Sequence, residues 1–155
     1  MFMRSIQSLC LIQSILMKTD LSNATFIIPI RIESDDRLRN VVTSIAFLVE
    51  NFDTNIIVKE VDKESVFQTE VLPIFEEILE VDLWKNFHHI FERSEEPLFH
   101  RQRVLNEMIA ECETDIVVNY DCDVILPMKS YELAYNGITE GCLLYTSPSP
   151  RDVSR

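Results

Sequence analysis

The run ATFIIPIRI, Ala24 to Ile32, is continuous apolar sequence of strand length with a proline near its end. A strand of that kind suits burial on both faces, the habit of parallel sheets covered by helices. The next residues agree with it. Ser34 offers an N-cap, Asp35 and Asp36 acidify a first helical turn, and Leu38, Val41, Val42, Ile45, Leu48 and Val49 recur at helical spacing. Residues 55–61, NIIVKEV, read as a second strand. Strand, helix, strand predicts a right-handed parallel unit.

The alternation continues. Phe67, Val71, Ile74, Phe75, Ile78 and Leu79 keep a helical period, with Pro73 in a first turn or at a kink. Residues 87–91, FHHIF, read as a third strand. Residues 99–112 read as a helix with Val104, Leu105, Met108, Ile109 and Cys112 on one side, and residues 115–120 as a further strand. The expected fold class is α/β: an open, mostly parallel, Rossmann-like sheet with flanking helices. In such sheets ligands sit outside the carboxyl ends of the strands. Arg31, Glu60 and Asp121 all fall at or near such ends.

Composition limits what such a sheet can serve. A chain of 155 residues can bury a core, and 46% apolar residues with only two glycines argue against disorder. The balance of 26 acidic against 14 basic residues argues against a nucleic-acid partner. An anionic ligand stays open to an acidic protein if a divalent cation screens the charges. Cys10, Cys112, Cys122 and Cys142 show neither C-x-x-C nor zinc spacing, so they read as reduced thiols of a cytoplasmic protein. No apolar run reaches the ~20 residues of a membrane span.

The two ends differ from the middle. Residues 1–20 read as an N-terminal extension, either a short amphipathic helix or an over-extended start with Met17 as the alternative, because Gln7, Ser8, Gln13 and Ser14 interrupt the apolar stretch. The tail CLLYTSPSPRD, Cys142 to Asp152, resembles a translated transposase sequencing adapter, residue for residue. Residues 142–155 are therefore expected to be a non-biological tail on a domain covering residues 21–141.

The chemistry concentrates in NYDCDVILP, Asn119 to Pro127. Two carboxylates at the edge of a buried strand would cost several kcal/mol if left unpaired, so a cation, water or a metal must compensate. In a strand, Asp121 and Asp123 share a side while Cys122 faces the core. Two hard oxygen ligands suit Mg²⁺ or Mn²⁺, which keep several waters and accept phosphate oxygens. The only glycines are Gly137 and Gly141, so no glycine-rich loop can cradle phosphate and a metal would have to carry that work.

The order Pro29-Ile-Arg31, then Phe99-His-Arg101-Gln-Arg103-Val-Leu105-Asn106, then Asp121-Cys-Asp123-Val-Ile-Leu-Pro127-Met128 resembles a GT-A glycosyltransferase, most like the beta-1,4-galactosyltransferase group and its bacterial or viral relatives. The resemblance covers roughly Ala24 to Met128. It implies that residues 21–141 are the N-terminal, donor-binding part of an inverting enzyme moving a sugar from a UDP-sugar or similar donor to a glycan or other hydroxyl acceptor. It implies metal binding at Asp123, with Asp121 toward the ribose or sugar. Arg31 and Arg101 would approach the nucleotide and phosphates, Pro29 would shape the pocket floor, and Glu60 would contact base or ribose. Glu33 departs from the pattern, where another basic residue is common. The acceptor segment and the acidic catalytic base are not found, and the base is expected in a missing C-terminal part.

Other readings stand beside it. Asp-x-Asp after an apolar strand also resembles the first motif of haloacid-dehalogenase phosphatases, with Asp121 as nucleophile, Asp123 as general acid and Mg²⁺ as cofactor. That motif normally lies on a domain's first strand. A non-catalytic fragment with an open sheet edge is the third. Arg103 cannot share a helix face with Arg101 and reads as solvated. One of His88 and His89 is expected partly buried and the other exposed, Trp84 reads as a core or domain-edge residue, and Glu92 to Glu96 read as a solvated loop.

Overall fold

In the computed structural model, which describes residues 18–79 and 85–141, the apolar run becomes the C-terminal part of β1 (Thr19–Ile30), with Arg31 and Ile32 just past its end. The readings made for residues 1–17, for Trp84 and for the tail lie outside the described residues. β1 is followed by α1 (Asp35–Asn51), β2 (Phe52–Asp62), a π-helical segment over Phe67–Val71 and α2 (Leu72–Ile78). Then come β3 (Phe87–Arg93), α3 (Arg101–Ala110), β4 (Ile116–Asn119) and α4 (Met128–Thr139). The four strands form one parallel sheet in the order β3-β2-β1-β4. This is the open α/β class that the sequence predicts.

The chain divides into two compact units between Ile125 and Leu126. In the first, Thr19 and Asp20 already pair with Phe52 and Asp53. In the second, α4 buries Tyr131, whose hydroxyl oxygen accepts the N–H of Leu126 at 3.1 Å.

Inside the first unit the pleat sends alternate residues to opposite faces. Ile27, Ile57 and Val61 pack on Val104, Leu105 and Met108 of α3. α1 buries Val41, Ile45 and Leu48, and its start matches the sequence, since the Ser34 hydroxyl accepts the Arg37 N–H at 3.3 Å. Fully burying each of these apolar side chains contributes about 1.5–3 kcal/mol. The segment after β2 takes the first of the two forms expected for it, with Pro73 in the first turn of a helix. It opens as a π-helix and continues as α2. Pro73 has no N–H for the carbonyl four residues back, which favours a break in the α ladder there.

Strand order positions the rest. β1 to β2 to β3 steps one way across the sheet, whereas β4 lies on the other side of β1. The chain after β1 and the chain after β4 therefore part at a topological switch point, where open α/β sheets hold their ligands. Pairing of β1 with β4 ends at Ile27 opposite Asn119, so Pro29 lies past the last pair and interrupts no β4 ladder bond.

Candidate functional site

A cleft of about 450 Å³ opens at this switch point. Pro29 and Ile30 reach it from the end of β1, Phe99 and Arg101 from the start of α3, and Asp121, Cys122 and Asp123 from the turn after β4. The structure thus brings together Pro29, Arg101, Asp121 and Asp123, four of the six sequence-predicted site residues. The Arg101 Nη2 donates to Asp121 Oδ1 at 2.5 Å and to Asn119 Oδ1 at 3.1 Å. No described residue forms an ion pair or hydrogen bond with the Asp123 side chain.

The Asp pair does not sit on a strand, contrary to expectation. β4 ends at Asn119, and residues 121–123 form a turn closed by Val124 N–H to Asp121 O at 3.3 Å. Strand alternation does not aim these carboxylates; the turn does. Nor are they buried: the Asp121 side chain is 63% exposed. Its exposure and the Arg101 ion pair remove the desolvation cost expected of Asp121. Cys122 does not face away into the core as expected: it is half-buried and lines the cleft between the two carboxylates, and burial, reinforced by the neighbouring Asp121 and Asp123, pushes its thiol up to about 12 despite the nearby Arg37. A protonated thiol leaves a donor set of oxygens alone, the set that fits Mg²⁺ or Mn²⁺. Among the described residues no group of three or more His, Cys, Asp or Glu side chains could hold a metal. Two carboxylates fit such an ion when water and a ligand's phosphate oxygens complete its shell.

Arg31 is not in the cleft wall. It is 7% exposed, with Nε donating to Val61 O at 2.8 Å and Nη1 to Pro97 O at 3.1 Å. Its guanidinium carbon lies 5.6 Å from the centroid of Phe99, whose residue does line the cleft, and Nη2 has no hydrogen-bond partner among the described residues. Arg31 ties the ends of β1 and β2 to the loop before α3.

Glu60 is not brought to the cleft at all. Its side chain is fully buried and accepts from Ser65 Oγ at 2.5 Å, Val66 N at 2.9 Å and Phe67 N at 3.0 Å. His89 Nε2 stands 3.3 Å from Oε2, out of line for a hydrogen bond, and its ring stacks on Phe67 with centroids 4.3 Å apart. Burial raises the carboxyl, and His89, Ser65 and the Phe67 N–H more than offset that, leaving it below its ordinary value. Glu60 caps the π-helical segment. His88 is exposed and His89 buried, the split the sequence predicts.

Arg103 is exposed, as expected, but it is engaged in ion pairs. It reaches Glu92 at 2.7 Å and Glu107 at 2.8 Å, and Lys59 joins the same two carboxylates at 3.1 and 2.5 Å. Glu92 belongs to β3 and to this network rather than to a solvated loop.

Sequence reasoning missed the opposite wall. Ser34, Asp36, Arg37 and Asn40 line the cleft from the first two turns of α1. The signal was present, because a helix that starts at the carboxyl end of a switch-point strand exposes its first turn to the ligand. The cleft is therefore lined by two arginines, Arg37 and Arg101, and three aspartates, Asp36, Asp121 and Asp123. The chain matches no protein-family model, no curated protein and no solved structure.

Proposed function

We propose that this cleft binds a nucleoside-diphosphate sugar together with Mg²⁺ or Mn²⁺, and that the chain carries the donor-binding half of a glycosyltransferase. The observation that supports the reading most is the convergence of Pro29, Arg101, Asp121 and Asp123, drawn from three distant segments, on one cleft at the sheet's switch point. These are residues of the three motifs that resemble the beta-1,4-galactosyltransferase group.

Asp121 and Asp123 would supply the oxygen ligands of the ion. A divalent cation held there supplies Lewis-acid stabilisation of the charge that builds on a departing nucleoside diphosphate. Arg101 is already engaged with Asp121 and is placed to share its donors with a diphosphate, while Arg37 adds a second positive charge from α1. Pro29 and Phe99 give the base or ribose an apolar wall, which Arg31 supports. Glu60 takes no part in this reading. The base that removes the acceptor's proton is unassigned.

Calorimetry of the full chain with UDP and UDP-sugars, with and without Mn²⁺, tests the reading. Binding that needs Mn²⁺ and disappears in Asp123→Ala is the expected result. Binding of neither nucleotide by a folded chain would overturn it. Release of phosphate from phosphomonoesters, lost in Asp121→Asn, would favour the phosphatase reading.

A further inference from the structure

The Asp turn is exposed, yet three hydrogen bonds fasten it. Ser44, 1% exposed in the middle of α1, donates its hydroxyl to the carbonyl of Cys122 at 2.6 Å. Tyr120, 6% exposed, donates its phenol to the carbonyl of Val124 at 2.7 Å, and its N–H goes to Ile27 O at 3.1 Å. The Tyr120 ring is itself set edge-on against Phe26, with centroids 5.5 Å apart. The peptide between the two carboxylates and the residue just after them are thus each held by a buried side chain.

We propose that Ser44 and Tyr120 are positioning residues that fix the Asp121–Asp123 turn for capture of a divalent cation. The inference rests on the metal-and-nucleotide reading above. Two carboxylates on a free turn would have to be ordered by the ion itself, and the lost backbone freedom would come out of the affinity. A turn fastened beforehand avoids that loss. The Ser44 contact also joins the turn to α1, whose Arg37 lies two turns nearer the N-terminus and lines the same cleft. The two walls are therefore held in one register. A serine in the stripe Val41, Ile45, Leu48 interrupts an otherwise apolar face, and a polar group at such a position needs a partner.

The test measures Mn²⁺ affinity by the spin-resonance signal of free Mn²⁺, with UDP present, for the full chain and for Ser44→Ala, Tyr120→Phe and Thr54→Val. Thr54, 4% exposed, donates to Ala24 O at 3.0 Å and serves as the control for loss of a buried hydrogen bond away from the turn. Urea unfolding checks that each variant is folded under the conditions used. The expected result is an Mn²⁺ dissociation constant raised about tenfold in Ser44→Ala and in Tyr120→Phe, with Thr54→Val unchanged. Equal Mn²⁺ affinity in folded Ser44→Ala, Tyr120→Phe and wild type would overturn the positioning role alone. A wild-type chain that binds no Mn²⁺ would overturn the metal reading with it. If Ser44→Ala fails to fold, Tyr120→Phe decides.

Discussion

Arg101 is the side chain on which residue-scale chemistry turns, because it holds Asp121 while two-fifths of its own side chain remains exposed. An exposed ion pair contributes at most about 1 kcal/mol to stability. Arg101→Met should therefore leave the urea midpoint nearly unchanged, while calorimetry should find UDP binding roughly tenfold weaker, about 1.4 kcal/mol. Glu60 behaves in the opposite way. Removing one partner of its buried cluster should cost about 3 kcal/mol, so Glu60→Gln should unfold at markedly lower urea with UDP affinity of the folded protein intact. The acid limb carries a sign as well. A carboxyl depressed in the folded state stabilises above its unfolded value of 4.5 and loses that contribution as pH falls through the folded one. Wild type should lose stability in that window, and Glu60→Gln should lose less. Position at a strand end made Glu60 and Asp121 look alike in the sequence. Burial separates them, and burial depends on Ser65 to Phe67 folding back over one carboxylate and not the other.

At the scale of elements, α3 is fixed to the sheet by charge as well as by Val104, Leu105 and Met108. Lys59 on β2, Glu92 on β3, and Arg103 and Glu107 on α3 form one network. Burial lowers Lys59, but Glu107 and Glu92 outweigh it and hold the ammonium above its ordinary value. Lys59→Met should cost about 2 kcal/mol in urea unfolding, with a smaller salt dependence than wild type. The helices and their caps were legible because they are local: Ser34, its acidic first turn and the apolar stripe of α1 lie within one stretch. A Ser34→Ala change should accordingly cost about 1 kcal/mol. The Glu107 partner of Arg103 was not foreseen, although it stands four residues on along the same helix, a local spacing that favours such a pair. Neither was Glu92, since only parallel pairing of β2 with β3 brings it beside Lys59.

For the whole molecule, the decisive fact is the strand order. Apolar runs alternating with helical segments announce a parallel α/β sheet, but no residue states that β4 returns to the far side of β1. That order makes the switch point, and the switch point turns Pro29, Arg101, Asp121 and Asp123 into neighbours. It also brings in Arg37 and Asn40, which look in the sequence like ordinary solvent-facing helix residues. The most direct test follows Mn²⁺ itself. Isotope-labelled chain titrated with Mn²⁺ in the presence of UDP should show amide signals broadened first at residues 121–124, then at residues 34–40 and 99–101. Asp123→Ala should abolish the effect. Broadening scattered over other acidic surfaces, or broadening that survives Asp123→Ala, would contradict a donor site at the switch point.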